Sequence, residues 1–243
     1  MKVWRVQTTE NRGGAAGVVA RAYGFTDSPD TEALIRGFNG GKEYGAVGIG
    51  RHGNVLQWGY AGFPSKMTEP ARQLFINCIH YIAQFDGQLP LVRTQSSHRD
   101  NALRLAALIT RIKDESFFSS TFGPELQTRF KGDPDGLVQH YLTDYELIYR
   151  DRTYKIDTDL KDLGIASNRQ IETLERLIAL LEDGEKGPLA KTLLDRYTQE
   201  RFSTPAQWRT WFGSNRDRLF FSDVGGYKFY VIPKGYKLSA VQP

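Results

Sequence analysis

A single cysteine, Cys78, stands in a chain of 243 residues, which excludes an intramolecular disulfide and any cysteine-rich metal site. No apolar run approaches the roughly 20 residues that a membrane-spanning helix needs. The opening Met1-Lys2-Val3-Trp4-Arg5 lacks the apolar core and small-residue cleavage site of a secretory signal. We therefore expect no membrane partner and a cytoplasmic location. Also absent are a repeat of fixed period, a low-complexity tract, a G-x-S-x-G elbow and an H-E-x-x-H pair. Charge of one sign is not clustered: the net charge is +4, but Lys and Arg are interleaved with Asp and Glu through both halves. Such a surface is a solvated mixed one and argues against nucleic acid as the partner.

What is present suits a folded α/β chain of one large domain or two small ones. Hydrophobic residues make up 40% and charged residues 25% of the total, so a sizeable core can form. The first 65 residues are rich in glycine and read as short strands: Lys2–Thr8, Val18–Tyr23, Ala33–Phe38, Ala46–Gly50 and Asn54–Tyr60. From Thr68 the pattern turns helical, with Ala71, Leu74, Phe75, Cys78, Ile79 and Ile82 on one face and Gln73, Asn77, His80 and Gln84 on the other. Asp86-Gly87-Gln88-Leu89-Pro90 closes this helix and marks a boundary between residues 1–90 and 91–243.

The second region is mainly helical. Ser97 and Asp100 have capping-box spacing ahead of a helix carrying Ala102, Leu105, Ala106, Ile109 and Ile112. Tyr145–Tyr149 and Thr153–Ile156 suggest a hairpin. Ser167 and Gln170 suggest the start of a helix lined by Ile171, Leu174, Ile178 and Leu181; Pro188 opens another, and Thr204, Pro205 and Gln207 open a third bearing Trp208, Trp211 and Phe212. A strand over Tyr227–Ile232 follows the turn at Asp223-Val224-Gly225-Gly226.

Chemistry is sparsely marked. Residues Gly48 to Gly53 match G-x-G-x-x-G, but a dinucleotide site needs a helix next, and Asn54–Tyr60 reads as a strand. The match therefore describes a hairpin whose tip, His52-Gly53-Asn54, needs permissive backbone angles. That tip gathers the candidate catalytic residues: Arg51 to hold an anion, His52 to exchange a proton and Asn54 to orient a substrate. His98-Arg99-Asp100 reads as the first turn of a helix. His80 and His140 have no second ligand at helical spacing, and Asp157-Thr158-Asp159 has Lys161 where a calcium loop needs an oxygen ligand. We expect no metal and no cofactor. Cys78, in mid-helix and facing inward, is a small hydrophobe whose desolvated thiol is a poor nucleophile.

The run from Ala46 to Tyr60, followed by Met67-Thr68-Glu69, Leu74-Phe75-Ile76-Asn77 and Tyr81-Ile82-Ala83, resembles the closing strands and last helix of glutamine-amidotransferase-like domains of the trehalose-utilisation (ThuA-like) type. It covers about a third of the chain. The resemblance implies a partial flavodoxin-like sheet with flanking helices and carries over no catalytic residue, because no strand-to-helix elbow lies upstream. The run from Trp208 to Phe229 is similar to the end of a group of large bacterial proteins from which no activity transfers. Together the two imply the C-terminal part of a longer architecture. We expect a non-catalytic module for interaction or ligand binding, with a protein or small-molecule partner. The alternative is a hydrolase or transferase built around Arg51, His52 and Asn54.

Overall fold

The computed structural model describes residues 19–39, 41–60, 64–109 and 114–238. The strand expected over Lys2–Thr8, the first residue of the one expected from Val18, and Ile112 lie outside them. The chain divides into two compact units: Met1–Leu91 with Lys234–Pro243, and Val92–Pro233. The final segment thus groups with the first unit, although sequence alone assigns it to the second region. Side-chain recognition explains this, as the Tyr236 hydroxyl reaches Asp30 and the Lys237 amide reaches Gln88.

In the first unit, β1 (Thr31–Asn39), β2 (Lys42–His52) and β3 (Val55–Trp58) form an antiparallel sheet in the order β1-β2-β3. Ala33 pairs with Gly50 and Ile35 with Ile49, so Leu34 is an extra residue that bulges the edge strand. β2 and β3 are joined by only Gly53 and Asn54. A connection this short permits only antiparallel pairing, since parallel neighbours need a crossover of a dozen or more residues. Mixed α/β structure is therefore present. Every strand pair among the described residues is antiparallel, however, and none has the parallel arrangement of a flavodoxin-like sheet. Before the sheet, Ala20 makes an isolated bridge to Val47, and a single helical turn, α1 (Ala22–Phe25), replaces the end of the strand expected there.

Helix α2 (Glu69–Ala83) begins after Thr68 with Pro70 in its first turn, where a missing amide is harmless. Its inward face carries Ala71 and Cys78, both buried, and Phe75 meets Trp58 of β3 edge to face at 5.0 Å. Ile79, expected on that face, is 52% exposed. Tyr81 is half-buried and Phe85 wholly buried, and their rings meet at 5.4 Å. The face therefore runs 71, 74, 78, 81, 85, which at 100° per residue turns Ile79 to solvent.

The second unit holds α3 (Asp100–Leu108), α4 (Glu115–Phe122), α5 (Pro124–Arg129), α6 (Pro134–Thr143), α7 (Thr158–Asp162), α8 (Ile171–Leu180), α9 (Gly187–Tyr197) and α10 (Pro205–Asn215). It also holds the hairpins β4 (Ile148–Asp151) with β5 (Thr153–Ile156), and β6 (Leu219–Ser222) with β7 (Lys228–Val231). One apolar cluster joins Ala102, Phe118, Phe122, Leu137, Tyr141 and Tyr154. The other joins Leu160, Leu174, Leu193, Tyr197, Trp208 and Phe229. Trp208 is fully buried and packs edge to face with Phe202 and Trp211, so the aromatic helix is core.

Two helix starts differ from expectation. Helix α8 begins at Ile171, after Gln170, because the Ser167 hydroxyl is engaged with Glu146 and with the Arg169 amide. Helix α3 begins at Asp100, whose amide donates to His98 Nδ1 while its carboxylate receives the Tyr145 hydroxyl. The strand β6 carried no alternation of its own and is fixed by its pairing with β7.

Candidate functional site

The hairpin of β2 and β3 brings Arg51, His52 and Asn54 to one end of the first unit. Arg51 is fully buried, with its guanidinium 3.8 Å from the centroid of the Phe85 ring. Each of its three nitrogens donates within the unit: Nε to Glu32 Oε2 at 2.7 Å, Nη1 to the Gly53 carbonyl at 2.8 Å, and Nη2 to the Leu238 carbonyl. The Tyr81 hydroxyl donates to the same Glu32 oxygen, and burial together with this carboxylate pushes the phenol up to about 12. A guanidinium so engaged braces the fold and presents no open face to an anion. Asn54 is half-buried in the two-residue turn.

His52 does have a carboxylate neighbour. Its Nε2 lies 3.4 Å from Asp30 Oδ1, close enough for charge attraction but without the alignment of a hydrogen bond. Asp30 is fully buried and receives the Ser28 hydroxyl at 2.5 Å, the Leu91 amide at 2.9 Å and the Tyr236 hydroxyl at 2.9 Å. Burial alone would raise the Asp30 carboxyl. His52, Ser28 and the Leu91 amide outweigh it and hold the group well below the usual carboxylate range. Asp30 lies upstream of β1 with no motif around it, so sequence offered no sign that it partners His52.

The second unit has a buried polar centre that no local pattern announced. Arg99, fully buried, donates from Nε and Nη2 to the two oxygens of Asp223 at 2.8 and 2.7 Å, and from Nη2 to Asn168 Oδ1 at 3.0 Å. Rings of Tyr145, Phe221 and Tyr227 surround the guanidinium at 5.7–5.8 Å. Asn168 passes the network on by donating to the Ile148 carbonyl at 2.8 Å. Nearby, Glu146 is held below the usual carboxylate range by its paired bonds from Arg169. These groups satisfy one another and join α3, the 145–148 segment and the turn after β6.

Beside this centre lies a cleft of about 480 Å³. Leu142, Leu147, Ile165 and Ala166 give it apolar walls, and Asp144, Glu146 and Lys161 add charge. The Lys161 ammonium bridges both Asp144 oxygens at 2.9 Å. The cleft follows from two local stops: the end of α6 at Thr143, and the Gly164 turn after α7, whose φ of +66° suits glycine.

Cys78 is buried, and desolvation raises its thiol above the ordinary value. His140 packs against the rings of Phe130 and Tyr141, and its imidazole is pushed down by burial and by Arg129. Comparison with protein-family models, with curated proteins and with solved structures gives no match.

Proposed function

We propose that the protein is a binding module without catalytic chemistry of its own, and that the cleft of the second unit receives a small amphipathic ligand. The cleft itself carries this reading. Its volume falls within the roughly 300–1,000 Å³ of small-molecule sites, with apolar walls for the body of a ligand and a few charged groups to orient it. The engaged state of Arg51 supports it from the other side, since the cation that would have gripped an anionic substrate is already bonded. Titration with the fluorescent probe anilinonaphthalene sulfonate tests it. Saturable binding is expected, weakened at least tenfold by Ala166→Trp, which fills the cleft. A non-saturating response, or an unchanged affinity in a folded Ala166→Trp chain, rejects the site.

A second reading rests on the contact of His52 with Asp30, which gives a hydrolase or transferase an acid–base pair. It predicts turnover of activated nitrophenyl esters or phosphates that falls at least a hundredfold in His52→Gln. The ThuA-like affinity of residues 46–83 is retained as a proposal: the order β2, β3, α2 on those residues supports it, while the antiparallel pairing lends no support to a flavodoxin-like sheet. A cytoplasmic protein with a protein or small-molecule partner fits the same reading.

A further inference from the structure

One edge of the first unit is occupied by a short stretch of the chain that is read by side chains and not by a sheet. The Tyr236 hydroxyl lies 2.9 Å from Asp30 Oδ2 and 2.8 Å from the Leu89 carbonyl. The Lys237 amide donates to Gln88 Oε1 at 2.6 Å, and the Leu238 carbonyl accepts from Arg51. The Lys237 ammonium stands 5.1 Å from the centroid of the Phe85 ring. A tyrosine hydroxyl, one backbone donor, one backbone acceptor and a cation are thus each met by a separate group.

The two buried charges of the seat stay paired without their occupant. Asp30 keeps the Ser28 hydroxyl and the Leu91 amide, and Arg51 keeps Glu32 and the Gly53 carbonyl. Losing the segment would leave neither buried charge unpaired, which is the circumstance that makes removal of a partner costly. The occupant is seated shallowly: Pro233, Lys234, Gly235 and Lys237 are exposed, and only Tyr236 and Leu238 are half-buried. Gly235, at φ +76°, turns the chain into the seat.

We propose that Asp30, Arg51, Phe85 and Gln88 form a peptide-binding cradle, that Tyr236–Leu238 is its internal ligand, and that the cradle accepts in trans a short segment in which a cation follows a tyrosine. This is independent of the cleft in the second unit. The internal segment competes at an effective concentration in the mM range, as expected of a tethered ligand.

The test uses the full chain carrying Tyr236→Ala and a fluorescein-labelled peptide, Lys-Gly-Tyr-Lys-Leu, followed by fluorescence polarisation. The variant is expected to bind at least tenfold more tightly than the unaltered chain, and a peptide with phenylalanine at the tyrosine position at least fivefold more weakly. A folded variant that binds no better than the unaltered chain, or that ignores the missing hydroxyl, overturns the proposal. Should the variant not fold, amide exchange of the unaltered chain decides. The Lys237 amide is expected to exchange at least a hundredfold faster than that of Cys78 in α2. Equal rates would make the segment part of the core and overturn the proposal.

Discussion

Asp30 combines complete burial with three directed donors and a nearby imidazole. Its folded carboxyl titrates below the unfolded value of about 3.9. The sign is fixed by this: the unfolded chain binds the proton first, so the contribution of Asp30 is full above that value and is lost as pH falls towards the folded one. Urea unfolding should show Asp30→Asn destabilised by about 1–3 kcal/mol at pH 7, with a shallower loss than the unaltered chain as pH falls below about 4. Gly53 offers a second test at the same scale. A Cβ there would stand 2.6 Å from the Pro90 nitrogen and 2.8 Å from the Gln88 carbonyl, at a φ of +56°. Gly53→Ala should lower stability by about 1–3 kcal/mol, read from thermal melts. Sequence made the demand of this tip for permissive angles visible. It did not show that Arg51 beside it faces inward, because that depends on Glu32, Phe85 and Leu238, none of them a neighbour in sequence.

Elements were legible where a local signal set them. Thr204 and Gln207 form the reciprocal capping box expected from their spacing. Thr204→Ala should cost about 1 kcal/mol in chemical denaturation. In α2 the apolar spacing places Ile79 on the inward face, yet Tyr81 and Phe85 take the buried side. Amphipathic aromatics supply burial that a count of aliphatic residues misses. Ile79→Gln should therefore change stability by less than about 0.5 kcal/mol. Cys78, one residue earlier, should resist iodoacetamide in the native chain and react fully in urea; rapid native alkylation would contradict its place in the core. The helices expected from Ser167 and Ser97 start later, at Ile171 and Asp100, because the Ser167 hydroxyl donates to Glu146 and the Ser97 carbonyl accepts from the Tyr227 hydroxyl.

The largest-scale features depend on residues far apart in the chain. Arg99 and Asp223 are 124 positions apart, and no pattern around either marks a buried ion pair. Arg99→Met would take from the buried Asp223 its guanidinium partner, leaving His98 Nε2 at 3.6 Å, and should cost about 3–5 kcal/mol in equilibrium unfolding. The division into two units is partly legible, since Asp86–Pro90 lies at the junction. The return of residues 234–238 to the first unit was not, because hydrogen bonds from a tyrosine and a backbone amide leave no periodic trace.

That return gives the molecule a timetable. During synthesis, at about 5–20 residues per second, Asp30 and Arg51 emerge early, and Tyr236 cannot reach them until the whole of Val92–Pro233 has been made. For those seconds the proposed seat in a nascent first unit is without its internal ligand.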